Sequence, residues 1–329
     1  MDLRGRYAEG RAWLSEVLAL GGGADHPGLR AIGLQLAGEF AYCEGDTAAA
    51  EALVQAGLRL AERAADAHAI ANAEQLLGNA KRRQGDLLEA RAHYRRARTI
   101  AHQAGRPAIE SQVLVCLLFT CLDQGDTEAM PRLMAELQEQ MASHDNSFAR
   151  PLLPIFQGWL AARDGDAVAA RVLLEAGLRA IQAHGNHPGL TVARCLAAYV
   201  ALDRSDWTDA ARHLGEMLRV AGTANERMAV ARALNAVGEL LAGTGQLEPA
   251  LRLAGTASAF RESLGGRIVP MEADRLDHWL VPTRRALGAA AGAALESGRS
   301  QPVTDAVSDA VAACDALLAG TPAEPTGRG

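Results

Sequence analysis

The stretch Gln84-Gly85-Asp86-Leu87-Leu88-Glu89-Ala90 reads as a turn that ends one helix and opens another. Gly can close the first helix by adopting positive φ, and Asp can accept from the free N–H groups of the second. Steps of forty from Gly85 land on Gly5, Gly45, Gly125, Gly165, Ser205 and Gly245. Asp follows at Asp46, Asp86, Asp126, Asp166 and Asp206, with Arg6 and Gln246 at the outer copies. Five residues after the turn stand Gly10, Ala50, Ala90, Ala170, Ala210 and Ala250, and only Met130 departs. Seven residues before it stand Gly38, Gly78, Gly158, Ala198 and Gly238, with Leu118 departing. Small residues at both places let two helices cross closely. A hairpin of two helices repeated in one register predicts an all-α array, and a repeat governs every later reading.

Outward from that stretch, the chain divides into complete hairpins from Leu29 onward. Polar or Gly-containing connectors separate them: Ala65-Asp66, Gly105 to Pro107, Ser143 to Ser147, Gly185 to Pro188, Gly222 to Asn225 and Gly265-Gly266. Tyr7 to Leu20 is expected to be an amphipathic helix with Ala8, Trp13, Leu14, Val17 and Leu18 on its apolar side, Met1 to Gly5 being too short for a helix. It stands as the second helix of a hairpin that lacks its first. In the third unit, large residues occupy both crossing sites, and Pro131 removes a helical hydrogen bond, so the second helix should start late or kink. The array should loosen around residues 118–135, as a hinge or as a repacked joint. Pro249 falls in a first helical turn and is tolerated. After Leu264 the period stops, and helices are expected over Pro270–Leu287, Ala289–Glu296 and Val303–Leu318. The resulting division is 1–24 a partial first repeat, 25–264 the array, 265–319 a helical cap and 320–329 a disordered tail.

Of 329 residues, 49% are apolar but only 4% aromatic, which suits helices packed through small side chains. The net charge is −6 and Lys81 is the single lysine, so no basic stripe for direct nucleic-acid binding is expected. The five cysteines, Cys43, Cys116, Cys121, Cys195 and Cys314, lack zinc-type spacing and read as buried free thiols of a reducing cytoplasm. The first residues lack a signal-peptide core, and the most apolar run, Val113 to Leu122, is too short to span a bilayer.

The spacing Gly78–Gly85–Ala90–Ala97 and the segment Leu76 to Asp86 resemble the tetratricopeptide repeat. The period is longer than usual for that repeat. It is similar to the long-helix variety in bacterial signal-transduction ATPases and LuxR-type transcriptional regulators. Leu3 to Leu14 looks like the start of such a sensor array; Leu251 to Ala257, Phe260-Arg261-Glu262 and Glu296 to Arg299 look like its end. The resemblance implies a right-handed superhelix that recognises a protein, a peptide or a small effector, with an ATPase or DNA-binding module on the N-terminal side. This chain has no Gly-x-x-x-x-Gly-Lys-Ser/Thr loop and no basic helix-turn-helix after the array, so the resemblance implies the sensor part alone. A shortened gene, an excised fragment or a partner chain would each account for the lacking first helix.

In tetratricopeptide arrays the first helix of each hairpin lines the concave face, with the residue after the crossing Gly pointing into it. Carried onto this chain, that row is Glu39, Asn79, Phe119, Trp159, Tyr199 and Glu239. Flanking positions are Tyr42, Asn72, Gln75, Arg82, Arg83, Arg163, Arg232 and Asn235. One reading is an aromatic-centred groove for a peptide or amphipathic ligand, with Arg82 and Arg83 beside Asn79 to hold a carboxylate. The other is that the long helices turn the aromatics into the core. A ligand in the groove would favour one curvature of the stack, with the third unit as the soft joint.

Catalytic, metal and cofactor sites are not expected. His184 and His187 share a connector, a possible metal spacing, but read as a solvated loop. His68, His93, His102, His213 and His278 read as surface, and Asp203, Asp206 and Asp209 as caps around a turn. No hydrolase elbow, zinc-protease helix or dinucleotide turn occurs. The expected function is recognition by a cytoplasmic sensor module of a regulator; the alternative is a free-standing scaffold joining two proteins.

Overall fold

A computed structural model describes the backbone of residues 3–20, 26–143, 148–184, 187–224 and 226–320, and the side chains within them except those of 3–6, 184, 187–188 and 223–224. The expected tail 321–329 and the side chains of His184 and His187 lie outside the described residues. Among these, all regular structure is helical: α1 (Leu3–Ala19), α2 (Pro27–Glu44), α3 (Thr47–Arg63), α4 (Ala67–Gln84), α5 (Leu87–Gln103), α6 (Pro107–Gln124), α7 (Met130–Ser143) and α8 (Leu153–Arg163). There follow α9 (Ala167–His184), α10 (His187–Asp203), α11 (Trp207–Ala224), α12 (Arg227–Gly243), α13 (Leu247–Ser263), α14 (Pro270–Leu287), α15 (Ala290–Ser300) and α16 (Val303–Ala319). The densest contacts mostly join helices next to each other in the chain, such as α2 with α3, α4 with α5 and α12 with α13, and α13 also packs closely on α15. Two compact units result. Unit 1 comprises 1–156, 223–226 and 264–273; unit 2 comprises 157–222, 227–263 and 274–329.

The turns obey the chemistry that their residues suggest. Gly45, Gly85, Gly125, Gly165 and Gly245 have φ between 72° and 85°, and Ser205 takes φ 56°. Asp46, Asp86, Asp126, Asp166 and Asp206 each accept from the backbone N–H three residues on, at 2.9 to 3.2 Å. The crossing glycines are sterically obligatory. A Cβ at Gly38 would stand 2.5 Å from Val54 and 3.1 Å from the Ala50 carbonyl, and one at Gly158 2.8 Å from Leu174 and 3.1 Å from the Ala170 carbonyl.

The third hairpin differs as its residues require. α7 starts at Met130, whereas α3, α5, α9, α11 and α13 start directly after the residue that follows the turn. Pro131 therefore sits in the first turn, where its missing N–H costs nothing. Leu118 and Met130 are fully buried at the crossing. After Leu264, α14 and α16 keep the expected bounds to within one residue, with Pro282 inside α14, whereas α15 runs to Ser300, four residues past the expected Glu296.

Two expectations need correction. α1 begins at Leu3, ahead of the predicted Tyr7. Its apolar side is not covered: Trp13 and Val17 are 71% and 58% exposed, Ala8 is exposed, and only Leu14 and Leu18 are half-buried. The thiols are free, with Cys121, Cys195 and Cys314 buried and Cys43 and Cys116 half-buried. Burial pushes Cys43, Cys116 and Cys121 up to about 11, so these thiols are poor nucleophiles at neutral pH.

Candidate functional site

The predicted row divides between the units, and each part has its own character. In unit 1, α2, α4 and α6 carry Glu39, Tyr42, Asn72, Gln75, Asn79, Arg82, Arg83 and Phe119. All but Glu39 are half-buried, and Glu39 is exposed. Glu39 is nevertheless crowded by surrounding atoms, and that desolvation raises its carboxyl.

A polar ladder runs along these helices. The Asn72 amide donates to Gln35 Oε1 at 2.9 Å, and the buried Gln35 donates to the Ala69 carbonyl at 2.9 Å. Gln75 Nε2 reaches Cys116 Sγ at 3.9 Å, and Tyr94 donates to Asn79 Oδ1 at 2.8 Å. Gln75 Oε1 is buried without a donor. Arg82 and Arg83 part company. Arg82 pairs with Asp123 at 2.7 Å and lies 5.6 Å from the Phe119 ring, which in turn meets Phe156 edge-on at 5.1 Å. Arg83 stacks 3.6 Å over the Tyr42 ring and donates to the Tyr42 carbonyl. It forms no ion pair among the described residues. A guanidinium has five N–H donors, so this one is held in place with most of its donors unspent.

In unit 2 the aromatics are core. Trp159 and Tyr199 are 5% and 3% exposed, so the groove reading of these two gives way to the core reading. Asn235 is buried, Arg232 half-buried and Arg163 exposed. Glu239 is taken by a residue that the row did not include. Arg275 of α14 chelates Glu239 at 2.7 and 2.8 Å, meets Asp203 at 2.8 Å, and stacks 4.3 Å from the Tyr199 ring. Burial outweighs the pairing on Glu239 and raises its carboxyl. On Arg275, Glu239 and Asp203 outweigh burial and raise the guanidinium. A cavity of about 530 Å³ adjoins this knot, with Asp203, Trp207, Glu239, His278 and Trp279 among its walls.

The histidines also correct the sequence reading. His68, His102 and His278 are exposed, but His213 is only 4% exposed. Arg194 Nη1 lies 3.1 Å from His213 Nδ1, and a guanidinium can only donate, so Nδ1 accepts and the ring is neutral. Burial first, then Arg194 and Arg212, pull His213 down to about 3. His93 meets the buried Glu74 at 2.6 Å. Asp206 caps α11 as expected, while Asp209 pairs with Arg212.

Where the late start of α7 removes a turn, unit 1 holds a groove of about 780 Å³. Its walls include Arg91, Arg95, Arg98 and Arg132 against Glu110, Glu128 and Glu136. Arg98 is engaged with Glu136 at 2.7 Å and Glu110 at 3.7 Å, and Arg132 with Glu136 at 3.1 Å, so several of the opposite charges inside the groove satisfy each other. Among the described residues no group of His, Cys, Asp and Glu is arranged to hold a metal, and no helix is long and apolar enough to cross a membrane. No protein-family model and no curated protein sequence matches the chain.

Proposed function

We propose that this chain is a non-catalytic binding module of tetratricopeptide type, and that the α2–α4 face of unit 1 takes a carboxylate-bearing peptide or partner segment. In this reading the helix pairs belong to a right-handed array of forty-residue hairpins over 25–264, preceded by a partial repeat over 1–24 and closed by a helical cap over 265–319. The resemblance to the sensor region of bacterial LuxR-type regulators makes the bound species an input to regulation. A scaffold without regulatory output is the alternative.

The observation that carries the reading is Arg83. It is a half-buried guanidinium fixed by a ring and a carbonyl, and it makes no ion pair among the described residues. Arg82, by contrast, is committed to Asp123. Hydrogen bonds to a charged group contribute about 1.5–3 kcal/mol each, so one carboxylate on Arg83 is worth roughly a tenfold or greater gain in affinity. Asn72 and Asn79, half-buried on the same helix, each use only part of their amide in the ladder and keep the rest for a backbone group of an extended peptide.

Peptides ending in a free carboxylate, and the same peptides amidated, distinguish this from non-specific adhesion. In fluorescence anisotropy the free acids should bind at least tenfold more tightly, and Arg83→Ala should remove the difference. Equal binding of acid and amide, or an unchanged preference in the variant, rejects Arg83 as the anchor.

A further inference from the structure

We propose that the α1–α2 edge of unit 1 is a self-association surface whose occupant is a second copy of this chain. The proposal makes no use of Arg83. Trp13 and Val17 on α1, and Leu20 just past its end, recur at helical spacing and are 71%, 58% and 67% exposed. On α2, Leu29, Ile32 and Leu36 do the same, at 70%, 38% and 40%.

These six residues line one angle between two packed helices. α1 lies on α2, since a Cβ at Gly33 would meet the Leu18 side chain at 3.2 Å and Arg30 donates to the Leu18 carbonyl at 2.9 Å. The next pair shows what such an angle holds. α2 itself sits between α3 and α4. A Cβ at Gly57 of α3 would stand 2.9 Å from the Ala31 carbonyl, and Gln35 exchanges hydrogen bonds with Ala69 and Asn72 of α4. Forty residues before Gly57, Ala69 and Asn72 stand Val17, Leu29 and Ile32. The exposed side chains therefore occupy the positions that, one pair along, are covered by a helix.

The chemistry of the edge favours a like surface. None of the six is charged, and the exposed Glu16 of α1 stands at their border. Arg11, the nearest cation on α1, is already paired with Glu44 at 2.7 Å. Six large apolar side chains at these exposures present roughly 600 Å², the upper end of what a monomer ordinarily leaves open. Two copies would bury about 1,200 Å², the size at which standard stable interfaces begin. An isologous contact of this kind closes on itself and sets helix against helix.

Sedimentation equilibrium of the full chain at micromolar concentrations tests this. Twice the 34.6 kDa chain mass is expected for the native protein. The mass of one chain is expected for Val17→Asp and for Leu29→Asp. Val168→Asp, at a side chain 71% exposed elsewhere, should keep the dimer. Circular dichroism melts confirm that each variant is folded, and Leu29→Asp on α2 carries the test should Val17→Asp disturb α1. A native chain that remains single at the highest concentration overturns the proposal, as does a dimer that survives both substitutions. So does native mass spectrometry of protein from its source cells showing a different protein held at this edge and released by the same substitutions.

Discussion

Replacing Arg275 by Met removes the guanidinium that α14 inserts between Glu239, Asp203 and the Tyr199 ring while keeping the apolar stem. Side chains of Arg275 and Glu239 are 15% and 14% exposed, so the pair is largely withdrawn from water. Breaking a buried pair from one side costs about 3–5 kcal/mol, and the residual exposure places this one near the lower figure. For a unit of this size, about 3 kcal/mol corresponds to a fall in Tm of roughly 6–12 °C. The loss should also depend on pH. Glu239 is already raised by burial with Arg275 opposing, and in the variant the larger opposing group is gone, leaving only His278. A carboxyl whose folded pKa is raised takes up a proton on folding, so its contribution is fullest below the unfolded value and lost as pH rises through the folded value. The gap in Tm between native protein and variant should therefore narrow as pH falls from 7 to 5. Thermal melts by circular dichroism at several pH values measure this. A variant melting within about 1 °C of the native protein refutes the reasoning, and so does a gap that widens on acidification.

His213, held near 3, makes the folded protein lose stability as pH falls below 6.5, by about 1.4 kcal/mol per unit while the unfolded histidine takes up its proton. His213→Gln should flatten urea-denaturation midpoints between pH 6.5 and 4. Gly125→Ala, at φ 72° with open space around it, should cost about 1 kcal/mol. Gly85→Ala should cost clearly more, because its Cβ would also stand 2.7 Å from Arg267 Cβ, and the two are compared by urea midpoints. Trp159→Ala removes a core side chain and should cost about 3–5 kcal/mol in a thermal melt while leaving the affinity of the folded protein unchanged.

What was legible in the sequence was local. A Gly that must turn left-handed and an Asp that must cap are determined within four residues, so Gly85-Asp86 could be read without knowing any neighbour. The late start of α7 was legible for the same reason, because Pro131 acts on its own helix. The row after the crossing glycines was not, since one residue turns a helix by about 100° and the packing of adjacent helices decides whether that direction is groove or core. Trp159 and Tyr199 went to the core. Arg275 gave no signal at all, because a long-range ion pair leaves no period in the sequence. His213 looked superficial from its polar neighbours Arg212 and Asp209, yet Arg194 from the preceding helix covers it. Tyr42 and Arg83, two of the predicted residues, meet through a contact between successive first helices.

Native mass spectrometry of the chain gently purified from its own cells, beside Arg83→Ala prepared identically, tests the central claim most directly. A peptide or protein bound in simple stoichiometry to the native chain, and lost from a variant with an unchanged melting curve, is the predicted result. The same species retained by Arg83→Ala would contradict it.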